Sequence, residues 1–515
     1  MMKHRVFSML TAASVMLTGI GTGAALPAAA ETEADLDCVM HAGSNQSLQN
    51  TSRYATTVKS SLVPLGTGWM RVQGALSDAP GKIMAEYYDS SFKLTDRVYA
   101  DQILPLWGGF HAGSDGCYYV LTGQKNPKED DTLPVMDIAV YDSDWNLIGH
   151  DALKGANTTV PFDAGSARFA DDGDHLIVRT CHEMYQSSDG YNHQANVTIE
   201  LDMQTMKITD SYTKVMNSEY GYVSHSFNQF VLLDGTHIVA LDHGDAHLRG
   251  VELTYYNTDF TTGQFVPDYY TKCTVLNAMP FPYGGSGNNT TGASVGGFEQ
   301  SGTHYLAAVS SIDQSSEESF NSCKTRNIYI VSVSKDSLND SGTTVTQITD
   351  YAEGDSSAST PQLASLGDGS FMLLWMKDGA TQYMLLDAAG KPADGEIYSF
   401  EGNLTDCQPV VSNGNLVWYD WQDENITFHT IHTGDMSHET AVYTGGHEWE
   451  RLAAPDENGR APFRCAKCGE ETEKTVPTNF RVFFNQSEDG YGMYSSTAPA
   501  GLDIGNRINM RVLKQ

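Results

Sequence analysis

The sequence predicts an all-β protein built from repeated four-stranded antiparallel sheets. Three observations carry this. After residue 31 convincing amphipathic helices are nearly absent, and short runs rich in Tyr, Val, Ile and Thr alternate with turns of Gly, Asp, Asn and Ser. The turns share one grammar: "ADDGD", "LLDGT", "EQSGT", "LGDGS" and "VSNGN" all offer the positive-φ residues that tight hairpins need. Each turn is followed by a hydrophobic strand ("HLIVRT", "HIVALD", "HYLAAVS", "FMLLWM", "LVWYDW"), a polar loop and two further strands. Units of this kind at roughly 40–60 residues spell a β-propeller. Seven four-stranded blades are counted, six being the alternative. Two stacked sandwiches would not give such similar turns.

Taken in order, residues 1–30 read as a signal peptide. Lys3 and Arg5 precede the apolar run "VFSMLTAASVMLTGIGTGAAL", and Ala28 and Ala30 stand at the small-residue positions of a cleavage site. Residues 31–50 read as a linker and residues 51–433 as the propeller. The first unit lacks a clear innermost strand and the last lacks its outermost, so a ring closed by strands from both termini is expected. Residues 434–476 read as a small module with a Cys-x-x-Cys pair. Residues 477–515 read as a short β segment, either packed on the module or a domain cut short.

An exported chain follows from the leader, and no later run is apolar enough to span a membrane. Losing Lys3 and Arg5 lowers Lys+Arg from 31 to 29 against 64 acids, so net charge moves from -33 to -35. Such a surface repels nucleic acid and anionic membranes. A secreted or envelope-associated monomer is expected, with a glycan or an extracellular protein as partner. Eight cysteines permit disulfides, but the first six are far apart and three sit in strand-like contexts. Mostly unpaired thiols are expected in a chain this long.

His447, Cys465 and Cys468 form the candidate metal set. Two thiolates on one turn with a histidine suit a structural zinc that would staple a small module. A fourth ligand is not evident beyond His438, so a Cys465–Cys468 redox or disulfide pair and free thiols stay open. The stretch "GHEWE…NGRAPFRCAKCGEE" resembles a short H-x-W…C-x-x-C-G module of surface proteins from anaerobic Gram-positive bacteria. "RTCHEMYQSSDGYNHQAN", "YVSHSFNQFVLLDG" and "DHGDAHLRG" are similar to large secreted proteins of such bacteria. The resemblance implies an extracellular setting and no mechanism.

The run "LDHGDAHLRG" places His243, Asp245, His247 and Arg249 at alternate positions, hence on one face of an extended chain. In the repeat it falls between second and third strands. Those loops share a rim with the entries to each innermost strand, such as "GSARF" and "VSHSFNQF". His182, Tyr185, His193, His225, Asn228, Gln229, His243, Asp245, His247, Arg249 and Gln362 are therefore expected to converge near a channel mouth. Imidazoles with a carboxylate suit a divalent ion, and histidine with Arg249 and Tyr185 suits a sulfate or uronate. The plain reading is a solvated polar rim. A catalytic alternative, an enzyme on polysaccharide or sulfated substrates, requires His182, His225 and His243 to meet. Trp69, Trp107, Trp375, Trp418 and Trp421 could stack on sugars, although packing between blades is the first expectation for most. "GASVG" around Ser294 lacks the strand-turn-helix context of a nucleophile elbow. "HEMYQ" has Gln186 where a zinc protease needs its second histidine.

Overall fold

The computed structural model describes residues 54–499 apart from 78, 216, 263–271, 423–424, 444–447, 457–458, 467–468, 470 and 486–490. These residues form an all-β chain of sequential antiparallel sheets. Sheet I spans residues 60–101, sheet II 106–154, sheet V 293–347, sheet VI 362–401 and sheet VII 410–443, and each has four strands in sequence order. Sheets III (168–212) and IV (224–280) have the same four-strand order and are fused into one nine-stranded ladder. A single pairing, Ala195 with Ser224, joins them, and the extra strand Thr158–Pro161 pairs with His182–Met184. A three-stranded sheet (449–475) and a hairpin (477–499) follow. Among the described residues no helix is long and apolar enough to cross a membrane.

Local sequence explains the hairpins. In "VSNGN", Asn413 and Gly414 have φ of 52° and 75°, the pair of left-handed residues that a two-residue turn needs to match strand twist. In sheet I the turn is Gly66–Thr67, because Leu65 pairs with Gly68. Strand Ser60–Leu65 is therefore the first strand of sheet I, and Ser437–Tyr443 is the last of sheet VII. Among the described residues no sheet is completed by a strand from the opposite terminus: each is one continuous segment. The last sheet also runs ten residues past the predicted boundary at 433.

The cores are shared between neighbours. One cluster joins sheets I and II, another II and III, then III with IV, IV with V, and V with VI. The largest unites sheets VI, VII and I, bringing Leu62, Tyr88 and Leu94 against Phe428, Trp418 and Met372. Phe92 stacks on Phe428 at 4.4 Å. Trp375 and Trp418 are fully buried, and each indole removes about 200 Å² from water, worth roughly 5 kcal/mol. Trp107 is buried too, and Trp69 and Trp421 pack on the largest cluster, so these rings fill the structure as first expected.

First strands lie side by side. A Cβ on Gly296 would stand 1.8 Å from the Pro361 carbonyl oxygen, so only glycine lets sheets V and VI approach there. This also settles "GASVG": Ser294 is buried in strand Ala293–Gln300, not on an elbow. Cys117, Cys181, Cys273, Cys323 and Cys407 are thiols. Cys38 lies outside the described residues.

Candidate functional site

The predicted loops between second and third strands turn out to be strand ends. The ladder continues through Cys181–Asn196, His182–Ala195 and Glu183–Gln194, and again through His243–Val251 to Asp245–Arg249. Polar residues that read as loop therefore occupy paired, buried positions. The rim lies one or two residues further out.

Five predicted residues sit beneath the rim. His182 is fully buried, and its Nδ1 lies 2.6 Å from the Thr158 hydroxyl. Burial pushes its pKa down to about 3. His243 is buried with Nε2 2.9 Å from the Thr291 hydroxyl. Burial first, then Arg326 and Arg249, pushes it to about 3. Both imidazoles are neutral at any ordinary pH. Gln229 accepts from the Ser166 N–H at 2.7 Å and donates to Ser226, while Asn228 accepts from the Ser166 hydroxyl and donates to the Val295 carbonyl at 2.6 Å. These amides pin the entries to three first strands. Gln362 does likewise, donating to the Thr405 carbonyl at 2.7 Å.

The remaining residues form a continuous arc above them. Tyr185 bonds Asp131, and Gln186 N–H donates to Glu129, so the hairpin tip of sheet III is tied to the loop of sheet II. Asp189 then organises the tip. It accepts from the Ser187 hydroxyl and Tyr191 N–H and meets His193 Nε2 at 2.8 Å, contacts that hold its carboxyl down near 2. Tyr191 stands on this turn with 70% of its surface exposed. The His193 and His225 rings stack at 6.4 Å. His225 takes a left-handed φ of 56°, an unfavourable conformation for a non-glycine residue, with Nδ1 3.0 Å from Asp245 Oδ1. Asp245 is fully buried, and its second oxygen has no hydrogen-bond partner among the described residues. His247 ends the same strand, exposed.

Arg249 ties the arc to sheet V. Its guanidinium donates to the carbonyls of Asp245, Tyr283, Asn288 and Thr290, and Gly287 N–H returns a bond to the Asp245 carbonyl at 3.0 Å. Second-to-third strand turns and first-strand entries thus share one rim. Four of the five N–H donors of Arg249 go to backbone carbonyls, so its role is clamping, not anion capture.

His182, His225 and His243 have separate partners: Thr158, Asp245 and Thr291. The three-histidine centre required by the catalytic alternative is not formed. Among the described residues no group of three His, Cys, Asp or Glu side chains could hold a metal. Cys465 is buried at the end of strand Arg460–Cys465. His447 and Cys468 lie outside the described residues.

Sequence reasoning missed a buried ionic network beneath the arc. Arg179 pairs with Asp242, which also accepts from the Ser226 hydroxyl at 2.7 Å. Opposite Asp242 in the ladder, Glu252 is fully buried with neither oxygen bonded. Burial raises its pKa well above the carboxyl range, with Asp242 adding to the rise, so it is held protonated. Alternation alone could have placed Asp242 and Glu252 inward, but the sequence does not show the partner of Asp242, 63 residues away.

Comparison with protein-family models and with curated proteins returns no match. Among solved structures the chain is similar to a prolyl endopeptidase (10% identity, TM-score 0.36), covering 87% of this chain and 55% of that one. It is also similar to a mutant apocarotenoid oxygenase of Synechocystis (10%, 0.39), covering 78% and 97%. A third is a puromycin-hydrolysing peptidase of Mycobacterium tuberculosis (12%, 0.39), covering 83% and 61%. The chain thus spans little more than half the length of the first.

Proposed function

We propose that the sheets close into a seven-bladed β-propeller and that the protein is an exported, non-enzymatic binder of a glycan or another surface protein. The cyclic succession of shared cores, ending with sheet VII against sheet I, supports the ring. The leader-like first 30 residues, the acidic composition and the resemblance to bacterial surface proteins support export.

One observation carries the binding reading: the rim arc is pre-organised and presents an exposed aromatic. Tyr191 is held out by a turn whose every polar contact is internal, on a hairpin braced against sheets II and IV. A rigid aromatic beside histidines loses little entropy on binding and suits a sugar face or a protein anchor. A glycan array and a pull-down from cell-surface extract, both using the mature protein, test it. Specific binding lost in Tyr191→Ala supports the reading, and blanks in both screens defeat it.

The tail module is proposed to take zinc through His447, Cys465 and Cys468, stapling a sheet too small to hold itself. Elemental analysis showing one zinc per chain, lost in Cys465→Ser, is the expected result. Metal-free protein with an intact tail would exclude it.

A further inference from the structure

A cavity lined by none of the rim-arc residues lies between first strands of sheets I, II, III and VII. Its volume is about 560 Å³, within the range of small-molecule sites. The walls are largely apolar, with Leu62, Phe110, Phe169 and Val410 among them, and none of the lining residues is acidic. One full positive charge lines it, Arg168.

Arg168, half-buried on its strand, differs from the buried arginines. Arg71 and Arg97 both grip Glu86, and Arg179 grips Asp242. Arg168 donates only to the Ala167 carbonyl, at 3.2 Å, and forms no ion pair among the described residues. Its guanidinium stacks over Phe230 with 5.0 Å to the ring centre, which fixes the plane without using the remaining N–H donors. The nearby acids are otherwise engaged. Asp171, at the end of the same strand, is held by His111, Ser114 and Gly173. Asp406 accepts from the Lys59 N–H at 2.8 Å. Burial pushes Arg168 down to about 10, only partly offset by Asp406, so the cation is under-compensated though fully protonated at neutral pH.

A cation held partly out of water with no carboxylate partner still carries a desolvation cost. Its persistence in a chain of net charge -33 asks for a ligand. We propose that the central cavity binds a small organic monocarboxylate, its carboxylate on the Arg168 fork and its apolar body against Leu62, Phe110 and Phe169. A guanidinium matches a carboxylate bidentately, one unit of charge suits a monoanion, and the walls reject a hydrated dianion. The site is independent of the rim reading.

The test is calorimetric titration of the mature protein with benzoate, benzamide and sulfate. Benzoate should bind and the isosteric neutral benzamide and sulfate should not. Arg168→Met should weaken benzoate roughly ten- to hundredfold, the worth of charged hydrogen bonds, and Arg168→Lys should weaken it less. Should Arg168→Met not fold, Ser61→Phe fills the cavity from sheet I with Arg168 intact and should also remove benzoate binding. Benzoate affinity unchanged in either variant, equal binding of benzamide, or no heat with benzoate or with hexanoate at millimolar concentration would overturn the proposal.

Discussion

Replacing Glu86 by glutamine should destabilise the protein more than any other single-atom change in sheet I. Glu86 Oε2 accepts from Arg71 Nε at 2.8 Å and Tyr88 OH at 2.6 Å, with Arg71 Nη2 at 2.6 Å. Oε1 accepts from Arg97 Nε at 2.9 Å and Nη2 at 2.7 Å. Both guanidiniums are buried, and Arg71 also stacks 5.3 Å over Tyr419 of sheet VII. An amide turns one acceptor into a donor facing donors, and the buried cluster goes from one net positive charge to two. Breaking such a pair costs about 3–5 kcal/mol. For the 54–443 array, unfolding entropy at roughly 2.1 cal/mol/K per residue totals about 0.8 kcal/mol/K, so Tm should fall by about 4–6 °C. The sign with pH is fixed as well. Burial alone would raise the Glu86 pKa, but Arg71 and Arg97 carry it below the ordinary carboxyl value. Its stabilisation is complete above pH 4.5 and is lost only as pH falls through that depressed pKa. Calorimetry of Glu86→Gln and wild type should give a constant gap from pH 5 to 8, narrowing only in strong acid. A gap under about 1 °C, the size of a neutral surface change, would refute the reasoning.

His182 and His243 are buried neutral, so each should cost roughly 1.4 kcal/mol per pH unit as pH falls below 6.5 toward about 3. Urea midpoints between pH 4 and 7 should show this slope, halved in His243→Asn; a flat profile contradicts it. Arg249→Met removes donors to four carbonyls and should cost roughly 2–4 kcal/mol locally. Hydrogen exchange over residues 283–292 should then accelerate at least tenfold while other sheets keep their protection, and uniform protection would argue against the clamp. Tyr191→Ala should leave Tm unchanged, because the ring is exposed, yet weaken any rim ligand about tenfold. A melting shift would mean that Tyr191 packs.

The repeat was legible because its turns carry their own chemistry: Asn413–Gly414 dictates a hairpin whatever surrounds it. Two strands escaped. "SSLVPL" contains Pro64, which weakens its strand pattern, and "SHETAVY" is polar because an outermost strand meets water on most sides. His193, His225, Asp245 and Arg249 contact one another in sequence at the strand ends, just inside where loops were expected. His182 and His243 were assigned too far out, because a polar residue paired in a long hairpin looks the same in sequence as one in a loop. Arg168 sits in plain view in "GSARF", but whether a cation has a carboxylate partner depends on contacts dozens of residues away.

The account rests on sheet VII packing against sheet I. Tyr419 OH donates to Gln73 Oε1 at 3.2 Å across 346 residues of chain. A double-mutant cycle of Tyr419→Phe with Gln73→Ala, read by urea denaturation, measures that contact alone. A closed ring predicts a coupling of about 1 kcal/mol. Strictly additive effects, within about 0.3 kcal/mol, would mean that the two sheets do not meet in solution.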